Sequence, residues 1–209
     1  MLALCAAHIT KSLIVKGYLS EKDEMIWRYA LLGRIEKSLT FVSMLVLALI
    51  FHDIIGLTVY LAFLSFLREH TGGYHAKTFR GCFSFTMFTY VAIFAISRFV
   101  KPGWLVCLIF LAVSSVIILI MAPQNHPNYN GSEEEMACHR RFAIRLLAIE
   151  ASLIGLINIF AGLSGLYIVL YYATYAICAL VTVAMCLLLG KFFHQDRPAS
   201  TDVPGQPLS

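Results

Sequence analysis

Apolar residues fall into long runs separated by short polar stretches, and the runs are too long to be strands. They cover roughly 38–67, 82–97, 104–122, 142–162 and 166–190. A helix needs about 20 apolar residues to cross a bilayer. The first run is ambiguous. As one helix its 30 residues would extend about 45 Å, against a hydrocarbon core of about 30 Å. Splitting it at His52-Asp53, with Gly56 close by, gives two shorter helices, the first borrowing length from Ala30 onward. Breaks are also expected at Arg98–Gly103 and at Gly162–Gly165, and 123–141 reads as a long polar loop.

Ahead of these runs, Ser20-Glu21-Lys22-Asp23 resembles a capping box and starts a helix with Met25, Ile26, Tyr29 and Leu32 on one side. That pattern predicts an amphipathic helix at the membrane surface within residues 1–37, or else a polar cap packed on the bundle. The stretch from Lys191, with Pro198, Pro204 and Pro207, reads as a tail. The expected organisation is a single membrane domain over 1–195 and a disordered tail over 196–209.

Composition strengthens the membrane reading. Of 209 residues, 59% are apolar and 13% charged, about half the charge of a soluble domain, and the mean hydropathy is +0.78. This argues against a water-soluble enzyme, a disordered chain or a nucleic-acid-binding domain. No removable signal peptide is visible, and Cys5 only faintly resembles a lipoprotein site. The six cysteines show no CxxC, and Cys107, Cys178 and Cys186 lie in apolar runs, so neither a disulfide framework nor a metal centre is expected.

The 16 basic residues decide the span count. No Lys or Arg occurs in 38–67, 102–139 or 146–190. With the first run split, 14 basic residues fall on one side and only Arg98 and Lys101 on the other; unsplit, the division is 8 against 8. Basic residues gather in the cytoplasm. The expected fold is therefore an all-α integral membrane protein of six transmembrane helices plus the N-terminal amphipathic helix, with both termini cytoplasmic.

The polar stretch Arg68-Glu69-His70-Thr71-Gly72-Gly73-Tyr74-His75-Ala76-Lys77-Thr78-Phe79-Arg80-Gly81-Cys82 holds two histidines and a cysteine among glycines. The charge count puts it on the cytoplasmic side, where thiols stay reduced. A thiol beside an imidazole is the minimal equipment for cysteine nucleophilic catalysis. On a continuous helix His75 and Cys82 would lie about 10 Å apart, so the backbone has to fold back, and Gly72, Gly73 and Gly81 supply the freedom. By these residues alone a plain interfacial loop remains open, as does a metal site of His70, His75 and Cys82, which lacks a nearby fourth ligand.

Arg68, Gly73, His75 and Cys82 reproduce the order and spacing of a motif in the accessory gene regulator B (AgrB) family, the membrane peptidases of Gram-positive peptide quorum sensing. The chain resembles that family through Glu21–Leu32 and through Ala122-Pro123-Gln124-Asn125-His126-Pro127 as well. Its acidic Glu133-Glu134-Glu135 departs from the basic loop frequent in relatives. The resemblance implies a cysteine endopeptidase without cofactor, with His75 as base, Cys82 as nucleophile, and Arg68 and Gly73 in support. It implies an AgrD-like propeptide substrate, a bacterial cell-membrane location and a homodimer. The product would be a thiolactone or lactone autoinducing peptide.

Other polar residues stay outside this set. Glu150 lies deep in an apolar run, where it would pair with Arg145, orient His75 or serve the packing, and Asn158 raises the same choice. His70 is a second base candidate. His126, Cys138 and His139 are irregularly spaced for a metal, and Tyr167, Tyr171, Tyr172 and Tyr175 read as an interfacial belt and packing. The competing functions are a peptide transporter or permease, against which the lack of an internal repeat argues, and a non-catalytic scaffold.

Overall fold

The computed structural model describes residues 2–74, 76, 78–124 and 132–193. The described residues form helices and connecting turns, with no strand among them. In chain order the helices are α1 (Leu2–Val15), α2 (Glu24–Ile50), α3 (Ile54–Thr71), α4 (Phe79–Ala95), α5 (Trp104–Met121), α6 (Glu133–Ser164) and α7 (Tyr167–Phe192). A single 3₁₀ turn, Glu21–Asp23, precedes α2, and α4 runs on through a π turn, Ile96–Val100.

The fold is built around α7. Its buried residues, from Ala173 to Gly190, face every direction, as expected for a helix apolar all round. It packs against α3, α5 and α6, with α4 touching it less. Leu67, Leu111, Ile118, Leu147 and Leu180 meet in one core cluster. Met44, Tyr60, Tyr90 and Tyr175 form a second between α2, α3, α4 and α7. At the N-terminus α1 folds back on α2, burying Ala6 and Thr10.

The break in the first apolar run lies where expected. Helix α2 ends at Ile50, His52 takes a left-handed φ of 53°, and Asp53 caps α3 by accepting from the Gly56 amide at 3.2 Å. Asp53 is also buried, and it accepts hydrogen bonds from the hydroxyls of Tyr171 (2.9 Å) and Tyr175. Two members of the tyrosine group read as a belt are thus ligands of the one charge in that run.

Among the described residues, four helices are long and apolar enough to cross a membrane: α4 with its π turn, α5, α6 and α7. Neither α2 nor α3 is among them. The first half of α2 carries Glu24, Arg28, Arg34, Glu36 and Lys37, and α3 ends on Arg68, Glu69 and His70, so neither offers a full-length apolar stretch.

Several boundaries differ from expectation. Ser20 does not cap α2: its hydroxyl accepts from the Lys22 amide, and the chain enters through the 3₁₀ turn with Asp23 at the cap position and no side-chain cap. The amphipathic segment is not a separate helix, since it runs into the apolar half of α2 without interruption, with Met25, Ile26 and Tyr29 exposed. Residues 133–141, read as loop, are helical. Ser132 and Glu135 form a reciprocal capping box there, and three glutamates in the first turn suit the helix dipole. Helix α7 also extends through Lys191 and Phe192. The tail 196–209 lies outside the described residues.

Candidate active site

One end of the bundle gathers the end of α3, the start of α4, the segment after α5 and the last turns of α7. Helix α3 ends on Gly72 at φ 67°, and Gly73 follows at φ 104°, so the chain turns sharply through conformations that L side chains rarely adopt. Space makes the same demand. A Cβ on Gly72 would lie 2.3 Å from the Gln124 carbonyl oxygen, and one on Gly73 would lie 2.7 Å from Arg68 Nη1 and 3.0 Å from the Cys186 carbonyl oxygen.

The turn is clamped from three directions. Half-buried Arg68 reaches forward and donates from Nη1 to the Gly72 carbonyl and from Nη2 to the Tyr74 carbonyl, the latter at 2.5 Å. A planar guanidinium presents donors on two separate nitrogens in a fixed fork, a reach that the single nitrogen of an ammonium lacks. From α7, the Cys186 carbonyl accepts from the Tyr74 amide at 2.8 Å. From the segment after α5, the Gln124 amide donates to the Thr71 carbonyl at 2.9 Å, and Gln124 Nε2 donates to the Leu187 carbonyl at 2.8 Å. Gly190 makes room for this: a Cβ there would fall 2.3 Å from Gln124 Oε1. The Tyr74 ring lies against Phe85 of α4 and Phe193 beyond α7, at centroid distances of 6.2 and 5.5 Å.

Past this clamp the chain returns to α4. Thr78 caps that helix, its hydroxyl accepting from the Gly81 amide at 3.2 Å, and the Cys82 amide makes an early helical bond to the Thr78 carbonyl at 3.1 Å. Cys82 therefore sits near the amino-terminal end of α4 with its side chain exposed. Ala76 packs against the same turn, for its Cβ lies 3.1 Å from where a Gly81 side chain would begin. Ala76 is thus brought back against the start of α4; His75 itself lies outside the described residues.

The remaining polar candidates separate from this centre. His70 faces α6, with its Nδ1 3.2 Å from His139 Nδ1 and its ring stacked on Phe142. Cys138 is exposed, and His126 lies outside the described residues. Glu150 is buried, its Oε2 lacks a hydrogen-bond partner, and no bond or ion pair joins it to exposed Arg145 among the described residues. Among those residues no group of three or more His, Cys, Asp or Glu side chains is arranged to hold a metal ion.

Sequence reasoning singled out Arg68 and Gly73 but missed Gln124, Cys186 and Gly190 as braces of the loop. Gln124 lies within the Ala122–Pro127 segment through which the chain resembles the family. Cys186 acts through its carbonyl, which side-chain identity does not signal.

Fold and site together define a class: an all-helical membrane protein with a helix-start cysteine beside a glycine turn held by an arginine. The family model for accessory gene regulator B matches residues 5–189, and the chain belongs to that family. Membership implies involvement in autoinducing-peptide processing, with a propeptide substrate and a membrane context. No curated protein and no solved structure matches the chain.

Proposed function

We propose that the protein is a membrane cysteine endopeptidase that removes the C-terminal tail of a quorum-sensing propeptide and promotes cyclisation of what remains. The observation that carries this reading is the placement of Cys82, exposed near the start of α4, beside a loop clamped by Arg68 and returned to α4 by Ala76. The roles of His75 as base and Cys82 as nucleophile rest on the family motif.

In this mechanism His75 accepts the Cys82 proton, and the sulfur attacks the scissile carbonyl. Negative charge on sulfur faces the positive end of the α4 dipole. As the tetrahedral intermediate collapses, the imidazolium gives its proton to the departing amine of the tail. The amino-terminal fragment remains as a thioester on Cys82. A cysteine or serine within it then attacks that carbonyl, closing a thiolactone or lactone and returning the Cys82 thiol. Water would instead release a linear acid, so a site at the membrane boundary favours ring closure.

Arg68 and Gly73 act here as positioning residues, since both hold the turn leading to His75. Six spans, with both termini and the site on the cytoplasmic side, and the homodimer implied by the resemblance belong to the same proposal.

Co-expression with a candidate propeptide, followed by mass spectrometry, tests the reading. A propeptide fragment bound as a thioester to Cys82, together with cyclic product, is expected, and Cys82→Ala abolishes both. Processing that survives Cys82→Ala overturns it.

A further inference from the structure

The other end of the bundle encloses a cavity of about 960 Å³ where the π turn after α4 meets the starts of α5 and α7 and the end of α6. It lies beyond the candidate active site by the length of the helices, and nothing in the proposed reaction uses it. Its composition is two-sided. Phe51 and Phe94, stacked at 4.2 Å, line it with Trp104, Ile168 and Tyr172. Its polar part is cationic: Arg98 and Lys101 line it and are exposed, and their side chains make no hydrogen bond or ion pair with the other described residues. The nearby carboxylate, Asp53, is already occupied by the Gly56 amide and the Tyr171 and Tyr175 hydroxyls.

Two further features favour an anion. Ser97 lines the cavity, is 2% exposed, and its hydroxyl has no hydrogen-bond partner. A buried hydroxyl without a partner is costly. Helix α5 begins here at Trp104, with Gly103 at the N-cap position and no side-chain cap, so its first amides and the positive end of its dipole are available. The depth identifies the source of the anion. Four helices able to span a membrane begin or end at this level, which places the cavity at the height of lipid phosphates.

We propose that this cavity is a phospholipid site. The phosphate is held by Arg98, Lys101, the Ser97 hydroxyl and the first turn of α5, and an acyl chain follows Phe51, Phe94 and Tyr172. Two cations against one engaged carboxylate favour a headgroup with net negative charge over a zwitterionic one.

Purified full-length protein titrated with phosphatidylglycerol, with native mass spectrometry as readout, tests this. One lipid is retained per chain, phosphatidylcholine binds more weakly, and inorganic phosphate in excess does not displace the lipid. The double variant Arg98→Gln/Lys101→Asn loses affinity at least tenfold, while Arg140→Gln/Arg141→Gln at the opposite end leaves it unchanged. Ser97→Ala lowers affinity a few-fold without lowering thermal stability, because its hydroxyl serves nothing else in the protein. Wild-type lipid retention by the double variant overturns the proposal. Displacement by inorganic phosphate also overturns it, by making this a soluble-anion site.

Discussion

At the scale of single residues, the site depends on side chains that bind backbone. Arg68 is spent on two carbonyls of its own loop, so its value lies in geometry. Arg68→Lys keeps the charge but not the fork. It should slow propeptide cleavage roughly tenfold, about the worth of one lost charge-assisted bond. The loss should be the same for a propeptide whose C-terminal tail carries no acidic residue, measured by quantitative mass spectrometry of the cleaved tail. A loss that vanishes with the neutral tail would make Arg68 a substrate clamp instead. Gly73→Ala is the sharper lesion, because φ of 104° and the 2.7 Å approach to Arg68 oppose any Cβ. It should abolish processing and lower stability by about 1–3 kcal/mol, read as a fall in thermal midpoint with membrane insertion intact.

At the scale of elements, two helix starts matter. Helix α4 presents Cys82 because Thr78 ends the loop and begins the helix in one residue. Helix α6 begins earlier than its hydropathy suggests because Ser132 and Glu135 cap each other. Ser132→Ala removes one half of that box. It should cost about 1 kcal/mol and speed amide exchange in the first turn of α6, around 133–137, while leaving α7 protected. Unchanged exchange there would mean that packing rather than the cap holds the turn. The Ser132-x-x-Glu135 spacing was visible in the sequence. The Pro, Asn and Glu content of 123–141 nevertheless makes the whole stretch read as loop.

At the scale of the whole molecule, the tertiary structure joins residues more than 100 positions apart. Asp53 ends one helix break and is held by Tyr171 and Tyr175 of α7. Asp53→Ala strips a cap and leaves the Tyr171 and Tyr175 hydroxyls with only each other, 3.3 Å apart, so a loss of about 2–3 kcal/mol in stability is expected by thermal or denaturant unfolding. The six-span arrangement is tested by impermeant thiol labelling of intact cells. Arg98→Cys and Gly165→Cys should label from outside, and Ser20→Cys only after permeabilisation. Outside labelling of Ser20→Cys would show that 38–67 does not form a hairpin in the membrane.

Hydropathy and charge by themselves determined that the chain is helical, that it is a membrane protein and that the first apolar run breaks at His52-Asp53, while the spacing of Arg68, Gly73, His75 and Cys82 marked the segment where the candidate site was sought. Those are consequences of transfer free energy and of local backbone freedom, which neighbouring residues carry. The tertiary structure alone decided that Arg68 clamps its own loop, that Gln124, Cys186 and Gly190 brace it from two other segments, and that His70 turns to His139. Such contacts depend on which faces of distant helices meet around α7. No local pattern records that choice, because a carbonyl that accepts a hydrogen bond looks the same in every residue.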